Sequence, residues 1–130
     1  MLCPCHSGKQ YAECCQPYHQ KKALPKPVAL MRSRYSAYAM GNIDYIIGTT
    51  HPDNPSAHLP LNEWKKQIAL LCSHTRFTGL DILNAEETSP DAYVTFHAHL
   101  LQGEKDVSFT EKSRFAMKEG QWMYLSGELS

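Results

Sequence analysis

The sequence predicts an α+β domain preceded by a short cysteine-rich segment, and three observations carry this prediction. Four of the five cysteines fall within the first 15 residues of the 130-residue chain. Apolar residues between positions 28 and 72 recur at helical spacing, whereas from about residue 73 they alternate with polar ones at a period of two. Helices followed by a run of strands are typical of an antiparallel sheet with helices packed on one face.

The first segment is chemically distinct from the rest of the chain. Residues 1–22 show no apolar periodicity and are too short to bury a core. They therefore need a metal ion or a covalent cross-link to stabilise a fold. The segment 24–27 holds two prolines, which disfavour helix and indicate a brief stiff linker. We therefore predict a metal-binding segment at 1–22 and an α+β domain at 23–130, and we expect the second part to fold without the first.

The cysteine spacing indicates a metal site. Cys3 and Cys5 are separated by one residue. Eight residues then separate Cys5 from the adjacent pair Cys14 and Cys15. Vicinal cysteines suit disulfides poorly, and the start lacks the pattern of a secretory signal, so we expect a reducing cytoplasmic location. Four thiolates complete a closed tetrahedral zinc site with no open position for a substrate. The sequence therefore predicts a structural zinc ion, with Gly8 permitting the turn between the ligand pairs.

The charge distribution excludes few classes of function. The net charge is zero, although residues 1–79 hold nine Lys and Arg against four Asp and Glu, and residues 80–130 hold the reverse excess. This asymmetry is mild and includes no dense basic run. Lys9, Lys21 and Lys22 are placed to offset the negative charge of a zinc tetrathiolate. No apolar run approaches the roughly 20 residues that a membrane helix needs.

Three helices are predicted in the front half of the domain. The first begins near residue 28 and ends at Gly41, a favourable C-terminal stop. Asn42 caps a short second helix that contains Ile43, Ile46 and Ile47. The remaining apolar positions at helical spacing belong to the first helix (Val28, Met31, Tyr35, Tyr38) and, after a loop at 49–55, to the third (Trp64, Ile68, Leu71, Cys72).

Four antiparallel strands are predicted in the second half. Leu80 and Ile82 alternate in the first, and residues 94–100 alternate cleanly in the second. A third strand runs from about residue 107 to 117, and a tight turn at 118–121 leads into a fourth at 122–125.

The third strand carries a break in the pattern. If its apolar residues face inward, Glu111 and Ser113 face inward as well, which is costly unless they are paired or line a wet cavity. Three interpretations stay open: a bulge turns them to solvent, Glu111 pairs with Arg32 or Arg34, or they line a pocket. The candidate pocket residues are Tyr35, His51, Glu111, Ser113 and Tyr124.

The N-terminal residues resemble a known motif. The run is Cys3-Pro4-Cys5-His6-Ser7-Gly8-Lys9-x-Tyr11-x-x-Cys14-Cys15, and it is similar to the SEC-C zinc motif named for the C-terminus of the SecA preprotein translocase. In that motif Cys or His fills the last position, which is Cys15 here. The residue after the second cysteine is usually Gly, so His6 is a candidate spare ligand.

Further residues resemble the YchJ family of small bacterial proteins. They are Pro17-Tyr18, Met31-Arg32-Ser33-Arg34-Tyr35, His51-Pro52, Phe77-x-Gly79-Leu80, Glu111-x-Ser113-Arg114-Phe115 and Gln121-Trp122-x-Tyr124. The resemblance implies a cystatin-like or nuclear transport factor 2-like domain, in which a curved four-stranded sheet cups the helices. Some relatives carry a second SEC-C motif at the C-terminus, which this sequence does not contain.

Three classes of function follow. SEC-C modules resemble adaptors, which favours a protein partner linked to chaperones, translocation or ribosomes, contacted through Lys9, Tyr11 and Tyr18. The first alternative is a small-molecule binder or enzyme that uses the pocket. The second is a single-stranded nucleic-acid or ribosome-associated binder, since zinc knuckles can grip single strands. The sequence shows no catalytic triad, nucleotide loop or catalytic metal pattern, so we predict no catalytic residue.

Overall fold

A computed structural model describes residues 1–88 and 90–130. The cysteine-bearing segment contains a 3-10 turn and a one-turn helix, and three further helices follow before the strands. The helical elements are the 3-10 turn Tyr11–Glu13, α1 (Gln16–His19), α2 (Pro27–Met40), α3 (Ile43–Gly48), the 3-10 turn Pro55–His58 and α4 (Leu61–His74). The strands are β1 (Arg76–Glu87), β2 (Asp91–Gln102), β3 (Lys105–Asp106), β4 (Phe109–Lys118) and β5 (Gln121–Leu129).

The helix boundaries follow the predicted local signals. Helix α2 ends at Gly41, whose φ of 72° lies in the left-handed region that glycine adopts without strain. The side chain of Asn42 then accepts a hydrogen bond from the backbone N–H of Tyr45 at 3.2 Å and caps α3. Both predicted signals are confirmed.

The sheet is antiparallel with the order β1-β2-β4-β5, and the short β3 pairs with β2. The four predicted strands are therefore present; β1, β2 and β5 are longer than their apolar alternation indicated, and β4 lies within about two residues of the predicted bounds. The β2–β4 register is regular and sets Phe96 opposite Glu111 and Val94 opposite Ser113. No bulge interrupts this pairing, so Glu111 and Ser113 keep the inward orientation that alternation predicts.

Helix α2 is more deeply buried than its apolar spacing indicated. Ser33 and Ser36, which do not belong to the predicted apolar positions of this helix, are fully buried. Their hydroxyls donate to the carbonyls of Leu30 and Ser33, at 3.0 and 3.1 Å, and Ser33 Oγ also lies 2.6 Å from the Tyr45 hydroxyl. These hydrogen bonds offset the cost of burying two polar side chains, so the helix can be covered on both sides.

Two apolar clusters stabilise the domain. One lies between α2 and the sheet, and the other joins α2, α3 and α4 around Trp64 and Ile68. The predicted face of α4 is only partly buried, because Leu71 is 41% exposed and Cys72 is half-buried. Within the described part of the chain, no helix combines the length and apolar character needed to cross a bilayer.

Candidate functional site

The four N-terminal cysteines converge on one point. The Sγ atoms of Cys3, Cys5, Cys14 and Cys15 all lie within 4.8 Å of one another. The sulfur of Cys14 lies 3.6 Å from that of Cys5 and 3.9 Å from that of Cys15, so neither pair forms a disulfide. Four thiolates arranged tetrahedrally around an ion at about 2.3 Å would be about 3.8 Å apart. The four residues therefore fit a metal ion without rearrangement of the chain.

Local backbone structure brings the two cysteine pairs together. The N–H of Cys3 donates to the Lys9 carbonyl at 2.8 Å, which closes a hairpin-like loop between the pairs. Gly8 has a φ of 87° within this loop, as its predicted role in the turn requires. Ser7 Oγ lies 3.2 Å from the sulfur of Cys14 and holds the second pair against the loop.

His6 lies outside the sulfur cluster. Its Nε2 is 3.0 Å from the carbonyl oxygen of Phe77 on β1, and its ring meets Tyr35 edge-on. Of the described residues near the cluster, only the four cysteines are close enough together to ligate one ion. His6 therefore belongs to the contact between the segment and the sheet and not to the ligand set.

Arg32 is the cation that lies beside the cysteines. Its Nη1 donates to the Cys5 carbonyl at 3.1 Å and lies 3.9 Å from the Cys5 sulfur. The prediction that Arg32 could pair with Glu111 is therefore wrong, because the guanidinium points to the cysteine segment. The sequence pattern missed this role, since only the folded chain brings α2 against Cys5.

The protonation states of the sulfurs are coupled to metal binding. The hydrogen bond with Cys15 lowers the pKa of Cys5 to about 4. Burial instead raises the pKa of the Cys3 thiol to about 11. Since metals bind thiolates, an ion must displace protons from the buried thiols, and its affinity must fall as the pH is lowered.

His19 fastens the cysteine segment to α2. Its Nε2 donates to the Ser33 carbonyl at 2.8 Å, which leaves Nδ1 to accept from the Tyr11 hydroxyl at 2.6 Å. Burial lowers the pKa of this imidazole and favours the neutral form that both contacts need.

The three predicted partner-binding residues differ in exposure. Tyr11 and Tyr18 are half-buried against the domain, whereas Lys9 is exposed.

A cavity of about 190 Å³ lies between α2 and the sheet, with Leu71 of α4 on its wall. It brings together four of the five predicted pocket residues: Tyr35, Glu111, Ser113 and Tyr124. His51 is not among the residues that line it. The backbone N–H of His51 donates to the Tyr124 carbonyl at 2.8 Å, and its Nδ1 accepts from the Asp53 N–H.

Two hydroxyl groups hold Glu111, which forms no ion pair with any residue that the structure describes. Its Oε2 accepts from Ser113 Oγ at 2.5 Å and from the Tyr124 hydroxyl at 3.3 Å. Burial, together with the nearby Glu111 charge, raises the pKa of Tyr124, so that this hydroxyl stays a donor. Gly127 on β5 makes room for the carboxyl group, because a Cβ at that position would overlap it.

Arg34 also lines the cavity but is engaged elsewhere. Its Nη1 donates to the Ile46 carbonyl at 3.0 Å and to the hydroxyls of Thr49 and Thr50, and its guanidinium lies 4.7 Å from the centroid of the Tyr124 ring. Among the described residues no arginine forms an ion pair with Glu111. The predicted alternative of a structural Glu111–arginine pair is therefore wrong, because α2 directs Arg34 to the end of α3.

Comparison with known proteins agrees with this architecture. The family model described as the YchJ middle NTF2-like domain matches residues 26–127, and the SEC-C motif model matches residues 2–17. A UPF0225 protein of Deinococcus radiodurans is 42% identical over 125 residues, which cover 95% of this chain and 85% of the relative. The UPF0225 protein YchJ of Shigella dysenteriae is 36% identical over 129 residues, which cover 97% and 82%.

Two solved structures are also similar over nearly the whole chain. The solution structure of a SEC-C motif containing protein from Rhodopseudomonas palustris has a TM-score of 0.86 at 32% identity and covers 100% of this chain and 99% of that protein. The crystal structure of a SEC-C motif containing protein from Psychrobacter arcticus has a TM-score of 0.78 at 25% identity. The match covers 98% of this chain and 82% of that protein. The chain therefore belongs to the YchJ-like family, with a SEC-C motif followed by an NTF2-like domain.

Proposed function

We propose that the chain is a zinc-binding adaptor, in which one structural zinc ion shapes a SEC-C segment that docks onto a partner protein. The observation that carries the proposal is the convergence of four cysteine sulfurs within 4.8 Å. Soft thiolate ligands in a tetrahedral set favour zinc, and four protein ligands leave no open coordination position for catalysis. The ion would supply stability that a short segment cannot obtain from apolar burial.

The surface beside the cysteines supports the docking part of the proposal. An open cleft there is lined by Lys9, Lys26 and Arg32, with Leu24 at 63% exposure. Because Arg32 is engaged with Cys5, the two exposed lysines are the cations available to a partner. Cations beside exposed apolar surface are complementary to an acidic, partly apolar segment of another protein. The resemblance to SEC-C adaptors favours a partner linked to chaperones, translocation or ribosomes.

Elemental analysis tests the metal part of the proposal. Purified, reduced protein is expected to contain about one zinc ion per chain, as a closed four-ligand site requires. Cys14→Ser should lose the zinc, whereas Cys72→Ser should retain it because Cys72 lies on α4, outside the cluster. A metal-free wild-type protein, or a Cys14–Cys15 disulfide in freshly purified material, would contradict the assignment.

Charge reversal tests the docking part. In nuclease-treated lysate, wild type is expected to capture a protein partner that the Lys9→Glu/Lys26→Glu double variant loses, because the partner's acidic groups would then be repelled. Lys66→Glu, on an exposed part of α4, is the matched control and should retain the partner.

Two results would refute this docking site: equal capture by all three proteins, or retention of RNA in place of a protein. Zinc content is measured on the same samples, so that loss of the docking surface is distinguished from loss of the metal site.

A further inference from the structure

The cavity between α2 and the sheet has a predominantly aromatic wall that the metal site does not use. Phe77, Phe96, Phe109 and Phe115 line it together with Tyr35. An apolar cavity of about 150 Å³ is large enough to bind benzene. At about 190 Å³, this cavity therefore accommodates a single ring with a short substituent. Leu71 on the wall is 41% exposed, which places the opening beside α4.

The polar part of the wall is centred on one carboxylate. Both hydroxyl donors, from Ser113 and Tyr124, reach the same oxygen of Glu111, Oε2. Among the described residues, none donates a hydrogen bond to Oε1. A carboxylate beside apolar walls is stabilised by further donors, and a charged donor gives the strongest hydrogen bond. Oε1 of Glu111 is therefore available to accept a hydrogen bond from a ligand.

The charge pattern favours a cationic donor. Arg34, the other charged residue on the wall, is directed to Ile46 and Thr49, and its guanidinium covers a face of Tyr124. Glu111 has no cationic partner of its own in the described chain. The aromatic rings add to this preference, because ring faces attract cations and are stabilised by apolar contact with a ligand ring.

We propose that this pocket binds a small organic cation, a primary amine attached to a single aromatic ring. The ammonium group hydrogen-bonds to Glu111, and the ring lies among the phenylalanines. Gly127 positions the acceptor, because a side chain there would displace the Glu111 carboxyl group. This binding site is independent of the cysteine cluster and of the adaptor role.

Benzylamine is a suitable probe, with benzyl alcohol and benzoate as matched neutral and anionic controls. Binding is followed by chemical-shift changes in two-dimensional amide NMR spectra of the full chain. We expect benzylamine to bind most tightly, with shifts at residues around the cavity. Glu111→Gln should weaken its binding about 10-fold to 100-fold, the range expected for loss of a hydrogen bond to a charged group.

Two further variants keep the test decisive. Glu128→Gln changes an exposed carboxylate on β5 and should bind benzylamine as wild type does. Gly127→Ala should weaken benzylamine binding by displacing the acceptor while Glu111 itself is retained. Thermal unfolding of each variant confirms that it is folded. The proposal is overturned if benzylamine fails to bind, if benzyl alcohol or benzoate binds as tightly, or if Glu111→Gln leaves the affinity unchanged.

Discussion

Replacing Cys5 by serine is expected to release the metal and to lower the free energy of unfolding of the whole chain by at least about 3 kcal/mol. The Cys5 side chain is 0% exposed and lies in the same buried cluster as Leu30 and Met31 of α2. Loss of the ion would leave buried thiols without a metal, and it would loosen the segment that covers this part of α2. The effect should therefore reach the NTF2-like domain.

Urea unfolding followed by tryptophan fluorescence measures this effect, because Trp64 and Trp122 belong to the two different apolar clusters. Cys72→Ser is the control and should retain both the metal and most of the stability. The sequence-based boundary after residue 22 predicts the opposite result, in which the domain unfolds as before while the metal is lost. That outcome would establish residues 23–130 as an independent folding unit.

Phe115→Ala is expected to lower the free energy of unfolding by about 3–5 kcal/mol. Phe115 is 1% exposed, and its ring lies 6.0 Å from that of Tyr124, centroid to centroid. Truncation would enlarge the cavity beneath α2 and remove the apolar contacts of the central strand β4. Because a domain of this kind is stable by only about 5–15 kcal/mol, the variant should unfold at a clearly lower urea concentration.

Met117→Ala is the matched control on the same strand, since the Met117 side chain is 48% exposed. Its free energy of unfolding should change by no more than about 0.5 kcal/mol, as is usual for exposed positions. Equal effects of the two substitutions would contradict the placement of Phe115 in the core. Phe115→Leu should recover part of the loss, because it fills most of the volume that alanine leaves empty.

The parts of the fold predicted from the sequence are those with local causes. Alternation along β4 predicts an inward orientation for Glu111 and Ser113 unless a bulge intervenes, and the regular β2–β4 register of the structure bears out that orientation. Gly41 and Asn42 marked the end of one helix and the start of the next through their own backbone and side-chain preferences. The paired cysteines indicated a metal cluster because their spacing suits ligation better than disulfides.

The choice of partners for long side chains was decided by the tertiary structure. Periodicity places a residue on a face, but it does not say which acceptors the rest of the fold brings there. Arg32 reaches Cys5 and Arg34 reaches the end of α3, although either one was a candidate partner for Glu111 on the pattern alone. His51, expected in the pocket, instead hydrogen-bonds through its backbone to Tyr124.

Two features follow from the order of the residues alone: a cysteine spacing suited to a metal site, and an alternation that offers Glu111 and Ser113 to one face of a strand. The folded chain adds that the cysteines share a buried cluster with α2, and that Glu111 lies on the wall of an aromatic cavity with no ion pair to any described residue. The difference lies in the distance along the chain over which each interaction acts. Turn, cap and alternation preferences act over a few residues, whereas burial and ion pairing depend on groups brought together from distant parts of the chain.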